Sequence, residues 1–422
     1  MKDFFRTHIK DTTKRETVIP ARLRVFCVPL FLKRESGNPC LRQAGRQRAL
    51  DFQRRHSGVT MVSDIASILF RPALSLLLLL QVFNGCRTSP TEPSGITPLS
   101  TTGVYVVNEG NYQRGNSSLT VYLPDSNKAY QDVFSLANGR NLGDTGNDIA
   151  VYAGKAYIVV TGSQKIEVIS LAGYKSVGTL TIPGKRGPYR LTILNDAKAF
   201  VSNISDTCIT EFNPSTLQIT NDRIKVGNNP MGIVGANGKV YVCNSGFGYD
   251  STVTVLNATT GGLIKTLYVG DSPSEIGVGP NNEVIVKCDG RSDYSNPAND
   301  TPGSILKINS DNDVVTVRAI LPLVTYGHPG RMTISNKGIG YFQSKTGVIK
   351  FSYSGTGLSI GGTPFATVAG YGLAYDDATD RLYVTDAKDY TQPGDVYVFD
   401  VDGLQKAKFQ AGVIPGAIAF KR

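Results

Sequence analysis

Four charged residues keep step with a repeat of about 42 residues that lengthens to 56 before the last of them. Asp148, Arg190, Glu275 and Arg331 each stand two places beyond a proline or its counterpart, in the series Asp148, Arg190, Gly232, Glu275, Arg331, Gly372 and Ala417. One place earlier the same series reads Asn147, Tyr189, Met231, Ser274, Gly330, Tyr371 and Gly416. If these positions meet around one axis, two chemistries are open. Asp148 with Arg190, and Glu275 with Arg331, would neutralise each other at the mouth of a wet channel, where charge is cheaply tolerated. Alternatively, the same groups with Tyr189 and Tyr371 as flat contact surfaces would bind a ligand through a few polar anchors and broad apolar contact. The two readings are compatible.

Catalysis finds little material. The chain has three histidines and no tryptophan, and beyond residue 56 the only histidine is His328, in GHPGR. A Ser-His-Asp relay or a multi-histidine metal site needs more imidazole than this. No phosphate-binding loop or dinucleotide fingerprint is present, so no cofactor is expected. A lactonase-like hydrolase would need several acids converging on one cation, and Arg190 and Arg331 beside Asp148 and Glu275 work against that. No catalytic or metal-ligating residue is therefore assigned. Cys208, Cys243 and Cys288 are expected as buried free thiols, with a Cys243–Cys288 disulfide as the alternative.

What could position the charged series is a repeat. The runs GVYVVN, KAYIVV, KAFVSN, KVYVCN, EVIVKC, GIGYFQ and RLYVTD align on Tyr105, Tyr157, Phe200, Tyr241, Ile285, Tyr341 and Tyr383, with spacings 52, 43, 41, 44, 56 and 42. A second set, Ile149, Leu191, Ile233, Ile276, Met332, Leu373 and Ile418, has spacings 42, 42, 43, 56, 41 and 45. Between them lie KIEVIS (165–170), TVTVLN (252–257), VIKFSY (348–353) and DVYVFD (395–400), whose alternation marks half-buried strands. Gly, Asn, Asp and Pro punctuate the runs, and no segment has a convincing helical period.

Four strands per unit and seven units predict an all-β, seven-bladed β-propeller with four-stranded antiparallel blades over residues 101–422. The first unit lacks an opening strand, and the chain ends on an opening strand with nothing after it. Pairing residues 414–420 beside residues 104–108 would close the ring and hide both sheet edges. Further recognition is expected on the loops after the YV strands, carrying Asn111 and Tyr112, Tyr249, Tyr294 within the insert 289–303, and Tyr390. The acids and amides of that insert (Asp289, Asp293, Asn296, Asn299, Asp300) are compatible with calcium, although their spacing matches no known calcium loop.

The stretch KVYVCNSG to PNNEV (239–284) resembles the YVTN-repeat, YncE-like family of seven-bladed propellers. The segments VNEGN (107–111), GNSSLTVY (115–122), NGRNLGD (138–144) and GKAYIVV (154–160) resemble the opening of a group of Bacteroidota lipoprotein propellers. That group includes a surface protein which captures cobalamin for a TonB-dependent transporter. The resemblance implies a non-enzymatic ligand-binding role, with a corrinoid as candidate ligand and a TonB-dependent outer-membrane receptor as candidate partner. A structural or adhesive cell-surface role is the further alternative.

The N-terminal region fits delivery to the envelope. Residues 61–85, MVSDIASILFRPALSLLLLLQVFNG, have the order of a secretory signal, and Gly85-Cys86 resembles a lipobox in which Cys86 is lipidated. Asn84 and Phe83 depart from the usual small residue and Leu. Residues 86–100 form a Pro/Ser/Thr tether. Residues 1–60 are expected to be an unstructured upstream extension, translation starting at Met61. These residues also hold most of the excess positive charge: the whole chain carries +10, whereas residues 86–422 hold 29 basic and 28 acidic side chains. A nucleic-acid partner is not expected. The expected location is the outer membrane, through a lipid anchor only, with outward display as an open question, since no acidic export run follows Cys86.

Overall fold

The computed structural model of the chain describes residues 102–422. The expectations for the upstream extension, the signal segment, Cys86 and the tether lie outside the described residues. Among the described residues no helix is long and apolar enough to cross a membrane.

The chain folds into seven four-stranded antiparallel sheets arranged as a ring, a seven-bladed β-propeller. Six blades run outward in chain order. Blade 2 is typical, with strands Gly146–Tyr152, Lys155–Val160, Lys165–Ser170 and Ser176–Thr181. Blade 1 is composite: the last strand, Pro415–Lys421, pairs with the first, Gly103–Asn108, followed by Ser118–Leu123 and Lys128–Tyr130. Its register sets Val104 opposite Phe420, Tyr105 opposite Ala419 and Val106 opposite Ile418. The expected closure from both termini is thus the one observed. The innermost strands touch their neighbours around the whole ring, including across the closing pair of Pro415–Lys421 and Gly146–Tyr152.

Seven apolar clusters fill the seven gaps between blades. Alternate side chains of one YV strand enter opposite gaps: Ile158 and Val160 pack toward blade 1, while Tyr157 and Val159 pack toward blade 3. Burial on both faces of the third strands corrects the expectation of half-buried alternation there. KIEVIS has its four central residues buried, Glu167 included, because a blade is sandwiched on both faces. Glu167 is compensated by Lys165 at 2.6 Å and by Arg140 at 2.7 Å. Exposure alternates on outer strands such as Ser176–Thr181.

The aromatic and asparagine of the repeat have structural duties. Tyr157 donates to the carbonyl of Pro214, and Tyr241 to Asp313 at 2.5 Å, each tying a blade to a turn of the next. Asn244 closes its strand by donating to Thr252 and Thr254 and by accepting from the Gly227 N–H; Asn108 does the same with Ser118, Thr120 and Gly412. Two short helices, Val133–Asn138 and Leu323–Tyr326, were not foreseen. At six and four residues they span too little to show a period. The first lies in the excursion that stretches the initial repeat spacing to 52.

Candidate functional site

Because the innermost strands start on one face of the ring, a position fixed relative to the linker becomes a position fixed relative to the axis. The second repeat set meets there: Leu191, Ile233, Ile276, Met332, Leu373 and Ile418 line a central cavity of about 220 Å³. Asp148, Arg190, Gly232, Glu275, Arg331 and Ala417 line the same cavity, so the charged ring expected from the spacing is a spatial ring. The small members are needed for the strands to approach. A Cβ on Gly372 would lie 2.1 Å from the Gly416 carbonyl oxygen.

The four charges are linked across the axis as well as along it. Arg190 Nη1 stands 3.5 Å from Asp148 Oδ1 and also donates to the Asn147 carbonyl. Its Nη2 reaches Glu275 Oε1 at 3.4 Å. Arg331 Nη1 donates to the same Glu275 oxygen at 2.9 Å. Glu275 therefore sits between two guanidinium groups, and the simple scheme of two separate pairs is exceeded. Tyr189 lies beneath the cations, with Arg190 4.8 Å and Arg331 6.0 Å from its ring centroid.

Two charged residues at this mouth escaped the sequence reading. Glu109, just past the first strand, is 8% exposed; its Oε2 accepts a 2.9 Å hydrogen bond from the Tyr371 hydroxyl, and its Oε1 lies 3.7 Å from Arg331 Nη2. Lys287, 1% exposed, donates to Asp289 and to the carbonyls of Pro329 and Gly330, which pins the linker that carries Arg331. Lys287 could have been noticed as a charge inside the apolar run VIVKC. Glu109 carried no such signal.

Burial governs the protonation of the cluster. It pushes the Glu109 carboxyl up to about 7 against the opposing pull of Tyr371, Arg190 and Asn147. Asp148 and Glu275 are raised by burial too, with Arg190 opposing. Burial works against the charge of Arg190, yet Glu275, Tyr189 and Asp148 hold its guanidinium above the ordinary value. Burial raises Tyr189 and Tyr371 as well.

The loops after the YV strands divide. Asn111 Nδ2 donates 2.7 Å to the Tyr390 carbonyl, and the Tyr390 ring meets Tyr371 edge-on at 5.8 Å, so Asn111 and Tyr390 join the mouth through Tyr371 and Glu109. Tyr112, Tyr249 and Tyr294 do not line the cavity; they stand on rim loops with exposures of 45%, 80% and 68%. In the insert, Asp293 receives backbone and side-chain donors from Ser295, Asn296 and Asn299, and Asp300 receives His328 at 3.3 Å. Among the described residues no group of three or more His, Cys, Asp or Glu is arranged to hold a metal ion. His328 is a loop residue bridging the insert, its Nδ1 3.0 Å from the Asp289 carbonyl. Cys208, Cys243 and Cys288 are free and buried.

Residues 102–413 match the family model described as a domain of unknown function (DUF5074), and the chain belongs to that family. No curated protein sequence matches it. Among solved structures it is similar to a 6-phosphogluconolactonase candidate from Bacteroides uniformis, with TM-score 0.59 and 11% identity over 76% of this chain and 100% of the other. It is also similar to a quinonprotein alcohol dehydrogenase-like protein from Bacteroides thetaiotaomicron, with TM-score 0.57 and 18% identity over 75% and 78% of the two chains. A functionally unknown protein from Desulfotomaculum acetoxidans gives 0.56 and 15% over 76% and 99%. At such identities the likeness shows the fold.

Proposed function

We propose that this member of the DUF5074 family is a non-enzymatic, ligand-capturing propeller of the cell envelope whose channel mouth holds the anchoring part of its ligand. The observation that carries this reading is the cluster Asp148, Arg190, Glu275 and Arg331 lining an accessible cavity of about 220 Å³, with Glu109 beside Arg331 and Gly416 at its edge. Ion pairs that served only to neutralise the channel would need no cavity between them. Rigid inner strands and the Lys287 pin preorganise the charges, which keeps the ordering cost of binding low.

The candidate ligand remains cobalamin or a related corrinoid, to be passed to a TonB-dependent receptor, with Cys86 as the lipid anchor. A corrinoid is too large for the cavity itself, since pockets that enclose drug-sized ligands run to roughly 300–1,000 Å³. It would lie across the face, a peripheral group in the mouth and the macrocycle against the rim tyrosines Tyr112, Tyr249, Tyr294 and Tyr390. The lactonase-like and dehydrogenase-like relatives share the fold alone and bring no activity to this chain. The paired arginines support a non-enzymatic reading, because they occupy the carboxylates that a catalytic cation would need.

The test is gel filtration of the purified protein with cobalamin, followed by the absorbance of the corrin ring. Co-migration at micromolar protein supports the assignment, and its absence removes the corrinoid. A calcium-dependent esterase or lactonase activity in the same preparation would overturn the non-enzymatic reading.

A further inference from the structure

The charges at the mouth do not cancel. With Glu109 ionised, Glu109, Asp148, Glu275 and Asp289 face Arg190, Arg331 and Lys287, one more acid than base. Two of the cations are held by several partners: Arg190 serves Asp148, Glu275 and the Asn147 carbonyl, and Lys287 serves Asp289 and two carbonyls, while the Arg331 side chain gives one hydrogen bond, from Nη1 to Glu275. Two of the carboxylates also keep capacity in reserve. Glu275 Oε1 takes both guanidinium groups, while its Oε2 accepts no hydrogen bond from the described residues. Glu109 Oε1, buried and likewise without a hydrogen bond, stands beyond hydrogen-bond reach of Arg331. It packs against Gly416, which lines the cavity and leaves it room: a Cβ there would come within 2.7 Å of that oxygen. A buried carboxylate can take several donors, and leaving its capacity unused is costly.

We propose that the channel mouth selects its ligand through an N–H donor group without negative charge, a primary amide or an ammonium, received by Glu109 and Glu275, and rejects anionic groups such as phosphate. The proposal rests on the mouth being the binding site. The apolar wall of Leu191, Ile233 and Met332 fits a short hydrocarbon stem carrying that head. An anion that met Arg331 would lie against the Glu275 carboxylate, and against Glu109 once that group is ionised. An N–H donor meets acceptors already in place. Burial raises the Glu109 carboxyl to about 7, so it becomes the charged acceptor as pH passes that value.

Four probes of one shape separate these cases: propionamide, propylammonium, propionate and propyl phosphate, followed by ligand-observed saturation-transfer NMR on the purified protein. One or both N–H probes are expected to bind, and to lose roughly tenfold or more in Glu275→Gln or Glu109→Gln, the size of a lost hydrogen bond to a charged group. Propylammonium, if it is the better probe, should tighten as pH rises through about 7 and Glu109 ionises, whereas propionamide should not. Tighter binding of either anion, or N–H probes indifferent to both substitutions, overturns the donor assignment while leaving a binding site in the mouth. Failure of all four probes alongside cobalamin co-migration moves the site away from the mouth and overturns the proposal. The wild-type ranking stays decisive even if a substitution prevents folding.

Discussion

The hydroxyl of Tyr371 donates a 2.9 Å hydrogen bond to Glu109 Oε2, joining residues 262 places apart across the seam between blades 7 and 1. On the same seam, Asn111 holds the Tyr390 carbonyl and the Tyr390 ring abuts Tyr371. The charged mouth and the closure of the ring are therefore one structure. A carboxylate needed only for closure would not be turned toward Arg331 and the cavity wall at Gly416.

Protonation of Glu109 should stabilise the fold. Burial raises its carboxyl from 4.5 to about 7, so between these values the folded protein holds a proton that the unfolded chain has released. The contribution is complete below about pH 4.5 and is lost as pH rises to about 7, a change of at most about 3 kcal/mol. Glu109→Gln removes it. Thermal unfolding followed by circular dichroism at pH 5 and pH 8 should show the variant gaining on the wild type at the higher pH; parallel shifts of both proteins would contradict this.

Arg190→Gln should be among the most damaging substitutions at the mouth. It leaves Asp148 without its cation and Glu275 with Arg331 alone, and removal of one partner from a buried ion pair costs about 3–5 kcal/mol. Both carboxyls are already raised by burial, and losing Arg190 raises them further. The damage should therefore shrink from pH 8 to pH 5 as they protonate. Urea midpoints at the two pH values measure this.

The repeat spacing located Asp148, Arg190, Glu275 and Arg331 because a closed ring turns a place in the repeat into a place around the axis. Glu109 was out of reach of that logic. Its blade is assembled from both ends of the chain, and the register of the closing pair shifts between Val107 and Asn108. The Glu109 N–H then bonds the Ile414 carbonyl, and the side chain enters the mouth from outside the repeat series. Tyr112, Tyr249 and Tyr294 stand on the rim outside the cavity lining, because a tyrosine on a polar loop does not say how far from the axis that loop carries it.

The asparagine that ends the YV strand should matter for stability rather than binding. Asn244 is fully buried and makes three hydrogen bonds, to Thr252, Thr254 and the Gly227 N–H. Asn244→Ala leaves Thr254 and the Gly227 N–H without this partner, while Thr252 keeps its bond to Asp250, and should cost about 2–4 kcal/mol in urea unfolding. Asn281→Ala, at an exposed turn, should stay within about 0.5 kcal/mol. Equal effects of the two substitutions would deny the repeat asparagine its role.

Removing residues 413–422 should abolish folding as a unit rather than fray one end. The strand Pro415–Lys421 is the innermost strand of blade 1, so its loss uncovers the edge of Gly103–Asn108 and opens the gaps toward blades 7 and 2. It also removes the Arg422 partner of the buried Asp376 and the Pro415 carbonyl that accepts from Thr385 at 2.6 Å. Apolar neighbours on both sides, Phe409 with Tyr122 in one gap and Ile149 with Val107 in the other, would be exposed to water together. The summed loss is comparable to the whole stability of a domain, about 5–15 kcal/mol. Circular dichroism during urea titration should show no cooperative transition for the truncated chain. A sharp transition at a modestly lower midpoint would mean that the ring holds without its closing strand.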